Sequence, residues 1–306
     1  MEKLTTLTYE ATGRIARITL NRPERGNGIT AATPLELAAC VERANLDPSI
    51  HVIALSGNGK GFCGGYDLVV AAEHGIAGGD GAGTASVAGT VLDPSVQLAN
   101  HNPAETWDGM LDYAMMSRNV RGFMSLFHSE KPVVCKVHGF CVAGGTDMAL
   151  CSDLLIIEDR AKIGYPPARV WGVPTTALWA FRIGIEKAKR LLFTGDSLSG
   201  TEAVAWGLAT EAAPRDQLDG RFENLLERIA RLPVNQLMMM KLLLNQTVMA
   251  QGLHATQILG TVFDGIARHT KEGYSFQQRA AEVGFKQAVR ERDEPFGDFG
   301  PSTSKG

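Results

Sequence analysis

Residues Val137–Pro167 read VHGFCVAGGTDMALCSDLLIIEDRAKIGYPP. An apolar run ending at Val142-Ala143 meets the pair Gly144-Gly145, and Thr146-Asp147-Met148-Ala149-Leu150 then opens a helix. Strand, glycine turn and helix follow one another without a spacer. Glycine lets bare backbone N–H groups point outward at a helix N-terminus, where partial positive charge favours an anion. Such donors can stabilise a developing oxyanion. A glycine pair taken alone is also ordinary turn geometry, so the rest of the chain must decide between the two.

Working outward, Lys131–Val137 and Asp153–Glu158 are short apolar strands on either side of this turn. Arg14–Leu20 (RIARITL) alternates with a period of two and runs into Asn21-Arg22-Pro23, and Ile50–Ser56 (IHVIALS) repeats the pattern before Gly57. Between them, Pro34–Ala44 has helical spacing, with Thr33 as the expected cap and Pro34 as the first helical residue. The alternation predicts an α/β protein with a layered core. Residues 73–109 are rich in Gly, Ala, Asn and Pro and read as a long loop, either a surface insertion or a pocket cover. Helical spacing dominates beyond Asp216, which sets the expected organisation: a core over 1–215 carrying the 73–109 insertion, and a helical region over 216–306. Met238-Met239-Met240 within that region reads as helix packing, in the core or at an interface.

At 306 residues and 44% hydrophobic content the chain can bury a sizeable core. A net charge of −3 gives no reason to expect nucleic acid or an anionic membrane as partner. The expected partner is a small molecule or another copy of the chain. Five cysteines form no C-x-x-C pair and sit mostly in apolar strings. They predict reduced thiols in a cytoplasmic protein, with neither disulfides nor a zinc or other metal site. The first ten residues, MEKLTTLTYE, contain no apolar targeting segment, and no run approaches the roughly 18 apolar residues of a membrane span.

Four segments, in order, resemble the crotonase superfamily, whose members include the enoyl-CoA hydratases and isomerases. They are Asn21-Arg22-Pro23-Glu24-Arg25-Gly26-Asn27, GKGFCGGYDL (Gly59–Leu68), KPVVCKVHGFCVAGGTDMALCSD (Lys131–Asp153) and AKRLLFTGDSLSGTEAVAWGLA (Ala188–Ala209). The resemblance implies a spiral of β-β-α units with a C-terminal helical region that builds homotrimers, which can pair into hexamers. It implies an acyl-CoA or enoyl-CoA substrate, with coenzyme A present as part of that substrate and no tightly bound cofactor. It places an oxyanion hole at Tyr66 N–H and Gly144 N–H, leaving the Tyr66 ring free to line the acyl pocket. Arg25, Lys60, Phe62, Tyr66, Asp67 and Leu68 fall where family members contact coenzyme A, although Arg25 and Lys60 are equally suited to be solvated surface charges.

The likeness breaks at the acid–base positions. Family hydratases hold water between two glutamates. The first maps to Asp147, one methylene shorter and able to serve as a general base, or simply to complement the start of its helix. The second maps to Pro167, which cannot titrate. Tyr165, Arg169, His74, His101, Asp108, Asp112 and Tyr113 are the candidates for a compensating group. Asp153, after Cys151-Ser152, reads as structural. No Gly-x-Ser-x-Gly elbow or His-paired hydroxyl supports Thr146 as a nucleophile. The expected activity is therefore acyl-CoA thioester chemistry with Tyr66, Gly144 and Asp147 as catalytic groups, nominally enoyl-CoA hydration. The alternatives are another reaction of the same enolate (thioester or carbon–carbon bond hydrolysis, isomerisation) or acyl-CoA binding with little turnover.

Overall fold

The computed structural model describes residues 4–67 and 88–298. The chain opens with β1 (Leu7–Thr12) and β2 (Ile15–Leu20), an antiparallel pair, and continues through α1 (Ala32–Leu46) to β3 (Val52–Gly57), which lies parallel to β2. After α2 (Pro94–Asn100) and α3 (Gly109–His128), β4 (Val133–Val137) joins β3, and β5 (Phe140–Val142) leaves for a second sheet. The short α4 (Gly144–Ala149) leads back to β6 (Leu154–Glu158) in the first sheet, and β7 (Lys162–Gly164) returns to the second. Helices α5 (Trp179–Ile183) and α6 (Ile185–Thr194) precede β8 (Ser197–Ser199), after which α7 (Gly200–Trp206) connects to β9 (Glu211–Ala213). The result is a mixed α/β fold with sheets ordered β1-β2-β3-β4-β6-β9 and β5-β7-β8. Successive turns of the chain thus send one strand to each sheet.

Burial on both faces of the large sheet makes its central strands near-continuous apolar runs, as expected where parallel strands are covered on each side. Ile53 and Leu55 of β3, Val133 and Cys135 of β4, and Leu155 and Ile157 of β6 enter the main core with α1 and α3. Val52, Ala54, Val134 and Ile156 point the other way, against Leu218, Phe222 and Leu226 of α8 (Arg215–Ala230). Four further helices follow: α9 (Val234–Ala250), α10 (Leu253–Arg268), α11 (Lys271–Val283) and α12 (Phe285–Asp293). Of these, α10 packs along α3 and α12 packs on α11. No helix among the described residues is long and apolar enough to cross a membrane.

Two local expectations are corrected. Helix α1 begins at Ala32 after an Ala31 cap, so Thr33 lies inside the first turn, where its hydroxyl accepts from Thr30 N–H at 3.1 Å. Proline lacks an N–H that the whole first turn leaves unpaired, so Pro34 does not pin the start to one residue. Within 73–109, residues Pro94–Asn100 are helical rather than loop: the Asp93 side chain accepts from Ser95 N–H at 2.9 Å and Pro94 occupies the first turn. That cap outweighs the surrounding loop-like composition. Residues 68–87, which include Leu68 and His74, lie outside the described residues. In α9, Met238 is half-buried and Met239 and Met240 are exposed, so these side chains are not part of this chain's core.

Candidate active site

The Gly144 turn is built by a strained peptide. Ala143 links β5 to α4 with φ +53° and ψ −131°, a conformation rarely adopted by residues with a side chain. As the first residue of its helix, Gly144 has no intrahelical acceptor for its N–H. The 61–67 segment runs beside this turn, because Cys63 forms a parallel bridge with Cys141 of β5 and Val142 N–H donates to Cys63 O at 3.1 Å. Tyr66 forms a second bridge, with Ile29, in which Ile29 N–H donates to Gly65 O and Asp67 N–H donates to Ile29 O. That pattern uses the neighbours of Tyr66 and leaves its own N–H outside the bridge.

The two segments touch only because glycine stands where they meet. At Gly65 φ is +95°, and a Cβ there would lie 2.8 Å from Ala143 Cβ and 3.4 Å from Gly144 N. A Cβ on Gly144 would lie 2.8 Å from the Tyr66 ring. Gly144 and Tyr66 both line a cavity of about 340 Å³, within the range of small-molecule sites. Its wall is largely apolar and aromatic, with Phe140, Tyr165, Trp171 and Phe285 contributing. Pro167 lines the cavity too, so the position where a second glutamate would stand presents an apolar ring. The Pro167 carbonyl meanwhile accepts from Val170, Trp171 and Gly172 N–H groups, which fixes the turn beneath it.

Asp147 is 1% exposed and sits behind this wall rather than on it. Thr176 donates to its Oδ1 twice, from N–H at 3.1 Å and from Oγ1 at 2.8 Å, while Oδ2 is buried without a hydrogen-bond partner. Burial pushes the Asp147 carboxyl up to about 7; the Thr176 hydrogen bonds work against that rise and the nearby Asp264 carboxyl adds to it. Sequence reasoning missed Asp264, which lines the cavity from α10. Val173 N–H donates to its Oδ1 at 3.4 Å and Arg268 Nε lies 3.4 Å from its Oδ2. Burial again pushes this carboxyl up, with Arg268 opposing. One aspartate in a long helical pattern carries no sequence signal of such a role. Only its placement on the wall reveals it.

The remaining expected residues fall into distinct roles. The Phe62 side chain is wholly buried in the core. Asp67 is paired with Arg22 at 2.8 Å, with Arg25 Nε at 3.8 Å, and none of Arg25, Lys60, Phe62 or Asp67 lines the cavity. Lys60 is exposed in the turn before Gly61. Tyr165 lines the cavity, whereas Arg169 is buried between Asp293 and Asp298 at 2.9 and 3.0 Å and ties down the C-terminal tail. Asp108 caps α3. Asp112 is 3.2 Å from Arg268, and Trp107 Nε1 donates to it at 2.5 Å. His101 pairs with His269 at 3.0 Å and with Gln277, and burial pushes its imidazole down to about 4. Neither His101 nor Tyr113 lines the cavity. Asp153 accepts from Val133 N–H at 2.7 Å and pairs with Lys241 at 2.9 Å, joining β4 to α9. Thr146 Oγ1 donates to Ala143 O at 2.6 Å within its own turn. Among the described residues no three His, Cys, Asp or Glu side chains are grouped to hold a metal ion.

Comparison with known proteins gives a consistent picture. The family model described as enoyl-CoA hydratase/isomerase matches residues 10–88 and 106–284. A putative enoyl-CoA hydratase, EchA13, of Mycobacterium tuberculosis is 30% identical over 258 residues, covering 79% of this chain and 74% of that protein. A putative enoyl-CoA hydratase of Thermus thermophilus is 27% identical, covering 76% and 81% respectively. The crystal structure of an enoyl-CoA hydratase from Mycobacterium smegmatis is 56% identical and superposes with a TM-score of 0.92, covering 100% of this chain and 99% of that one.

Proposed function

The chain belongs to the enoyl-CoA hydratase/isomerase family, and from that premise we propose that it polarises an acyl-CoA or enoyl-CoA thioester carbonyl between Tyr66 N–H and Gly144 N–H. It is an enzyme of this family acting on coenzyme A thioesters. The observation that carries the proposal is the contact of two backbone segments, each with an N–H outside the regular hydrogen-bond pattern, at the edge of one largely apolar cavity. Two donors aimed at one oxygen lower the cost of forming an enolate, and loss of one such donor costs about 2.7–4 kcal/mol in comparable sites. Asp147, whose carboxyl burial pushes up to about 7 one layer behind the cavity wall, is the proton-transfer group of this reading. Enoyl-CoA hydration is the nominal reaction.

Pro167 on the cavity wall favours keeping a second outcome of the same enolate in view, namely hydrolysis of the thioester or of a carbon–carbon bond, or isomerisation. Incubation with crotonyl-CoA and longer enoyl-CoAs, with product mass followed to distinguish added water from isomerisation, separates hydration from thioester hydrolysis and from binding alone. Loss of the conjugated thioester absorbance without thiol release is expected for hydration. Thiol release would redirect the reading to thioester hydrolysis, and tight acyl-CoA binding with no turnover would sink the enzyme reading.

The cytoplasmic site of action and the assembly belong to the same proposal. Met239, Met240, Leu242, Leu243 and Leu244 on α9, with Leu259 and Phe263 on α10, are each about half exposed or more. An apolar surface of this extent suits burial against other copies, in line with a 216–306 region that assembles the chain into a homotrimer or a dimer of trimers. Light scattering of the wild type and of Leu243→Lys tests it. The wild type should have the mass of three or six chains and the variant a lower mass, whereas a monomeric wild type would refute the assembly.

A further inference from the structure

We propose that Asp264 is the carboxyl that exchanges a proton with the α-carbon of the bound thioester, taking the place that Pro167 leaves vacant in the chemistry. This rests on the acyl-CoA reading and extends it to a residue on the C-terminal helical region. Three carboxyls line the cavity among the described residues: Asp264, Asp293 and Asp298. Asp293 is held by Arg169 at 2.9 Å and by Arg292 at 2.8 Å, and Asp298 by Lys162 at 2.7 Å and Arg169 at 3.0 Å. Both are committed to closing the tail over the site, and the Arg292 and Arg169 guanidinium groups help hold the Asp293 carboxyl below the ordinary carboxylate range against the opposing effect of burial. Asp264 differs, since its closest cation is a single guanidinium nitrogen at 3.4 Å and burial pushes its carboxyl upward.

Its backbone setting links it to Asp147. The segment Val173-Pro174-Thr175-Thr176 donates to both carboxyls: Val173 N–H to Asp264 Oδ1 and Thr176 N–H to Asp147 Oδ1. Gly260, one turn before Asp264 on α10, lets the helix approach this segment, because a Cβ there would lie 2.8 Å from Pro174 O. One short loop therefore positions two aspartates, one behind the wall and one on it. The charged and titratable groups around them come from several elements. Arg268 and His269 lie on or beside α10, Asp112 on α3, Asp147 on α4, and Tyr66 and Tyr165 on the flanking segments. Both carboxyls push the two tyrosine hydroxyls upward, although burial contributes more. Tyr66 OH and Thr175 Oγ1, both on residues that line the cavity, are buried without a hydrogen-bond partner, an arrangement that costs about 1–3 kcal/mol per group and suits a site that receives polar ligand atoms.

The α-C–H bond breaks, its proton bonds to an Asp264 carboxylate oxygen, and its electron pair forms the enolate, whose charge rests on the carbonyl oxygen between Tyr66 N–H and Gly144 N–H. The reverse step returns the proton to carbon and restores the carboxylate.

The test follows exchange of the α-protons of butyryl-CoA with D2O by mass spectrometry, in the wild type and in Asp264→Asn and Asp264→Glu, beside butyryl-CoA affinity and thermal melts of each. The wild type should exchange. Asp264→Asn should exchange about 10²–10⁴-fold more slowly with affinity within about threefold of wild type, and Asp264→Glu should recover part of the rate. Wild-type exchange in Asp264→Asn would overturn the assignment alone. A loss in Asp264→Asn that tracks weakened affinity or a collapsed melt, with no recovery in Asp264→Glu, would assign Asp264 to the fold and also overturn it. Absence of both exchange and enoyl-CoA turnover in the wild type would remove the acyl-CoA enzyme reading, and this inference with it.

Discussion

The Gly144 turn and the Val173–Thr176 loop border the same cavity, yet they are specified in opposite ways. The turn works through backbone: Ala143 holds an unusual conformation, and Gly65 and Gly144 are required because a Cβ at either would meet its neighbour at 2.8 Å. The loop works through side chains brought from afar, since the carboxyls it holds are on α4 and α10, more than a hundred residues apart in sequence. Backbone donors tolerate almost no substitution at the position that shapes them. Carboxyl chemistry can move to another element, provided a side chain of the right length reaches the same wall. This contrast accounts for a site in which the turn proposed to polarise the carbonyl stands beside a proline on the cavity wall.

The largest effect is expected at the turn. Gly65→Val would impose a branched side chain at φ +95° against Ala143 and should cost about 10²–10³-fold or more in kcat on enoyl-CoA. Near-wild-type steady-state turnover would mean that the two N–H groups are not the oxyanion site. Next in size, Asp147→Asn should lower kcat about 10²-fold while leaving acyl-CoA affinity, read by calorimetry, within about threefold. Unchanged turnover would remove Asp147 from the reaction.

A smaller effect concerns stability. An unfolded aspartate ionises near its ordinary value of 3.8, whereas folded Asp147 keeps its proton up to about 7. The folded state thus binds the extra proton between those values, so its contribution to stability is full below about pH 4 and is lost as pH rises through 7. The melting temperature of Asp147→Asn should accordingly fall less than that of the wild type across pH 4–7; parallel curves would contradict the burial argument. Smallest of all, Thr176→Val removes one of the hydrogen bonds that favour the ionised Asp147. The acidic limb of the kcat–pH profile should move upward, and an unmoved limb would show that this carboxyl does not set it.

Much of the frame was legible in the residues. The alternating runs Arg14–Leu20 and Ile50–Ser56 and the short apolar runs Lys131–Val137 and Asp153–Glu158 match β2, β3, β4 and β6 to within two residues, and the apolar runs follow from a sheet buried on both faces. The helix at Pro94 was hidden by its Gly- and Ala-rich surroundings despite a sound Asp-Pro-Ser cap. Phe62, one residue before the bridge at Cys63, belongs to the core, a distinction that a motif match cannot draw.

The strand–glycine–helix turn, the proline at position 167 and the likeness to a family that handles coenzyme A thioesters are all legible in the residues. These are local properties: glycine, proline and apolar alternation constrain the backbone wherever they occur. Only the tertiary structure placed Asp264 on the cavity wall, put Asp147 behind it and joined both to one loop. Such proximity arises from helix packing over long sequence separations, and a lone aspartate in an amphipathic helix looks the same whether it meets solvent or a substrate.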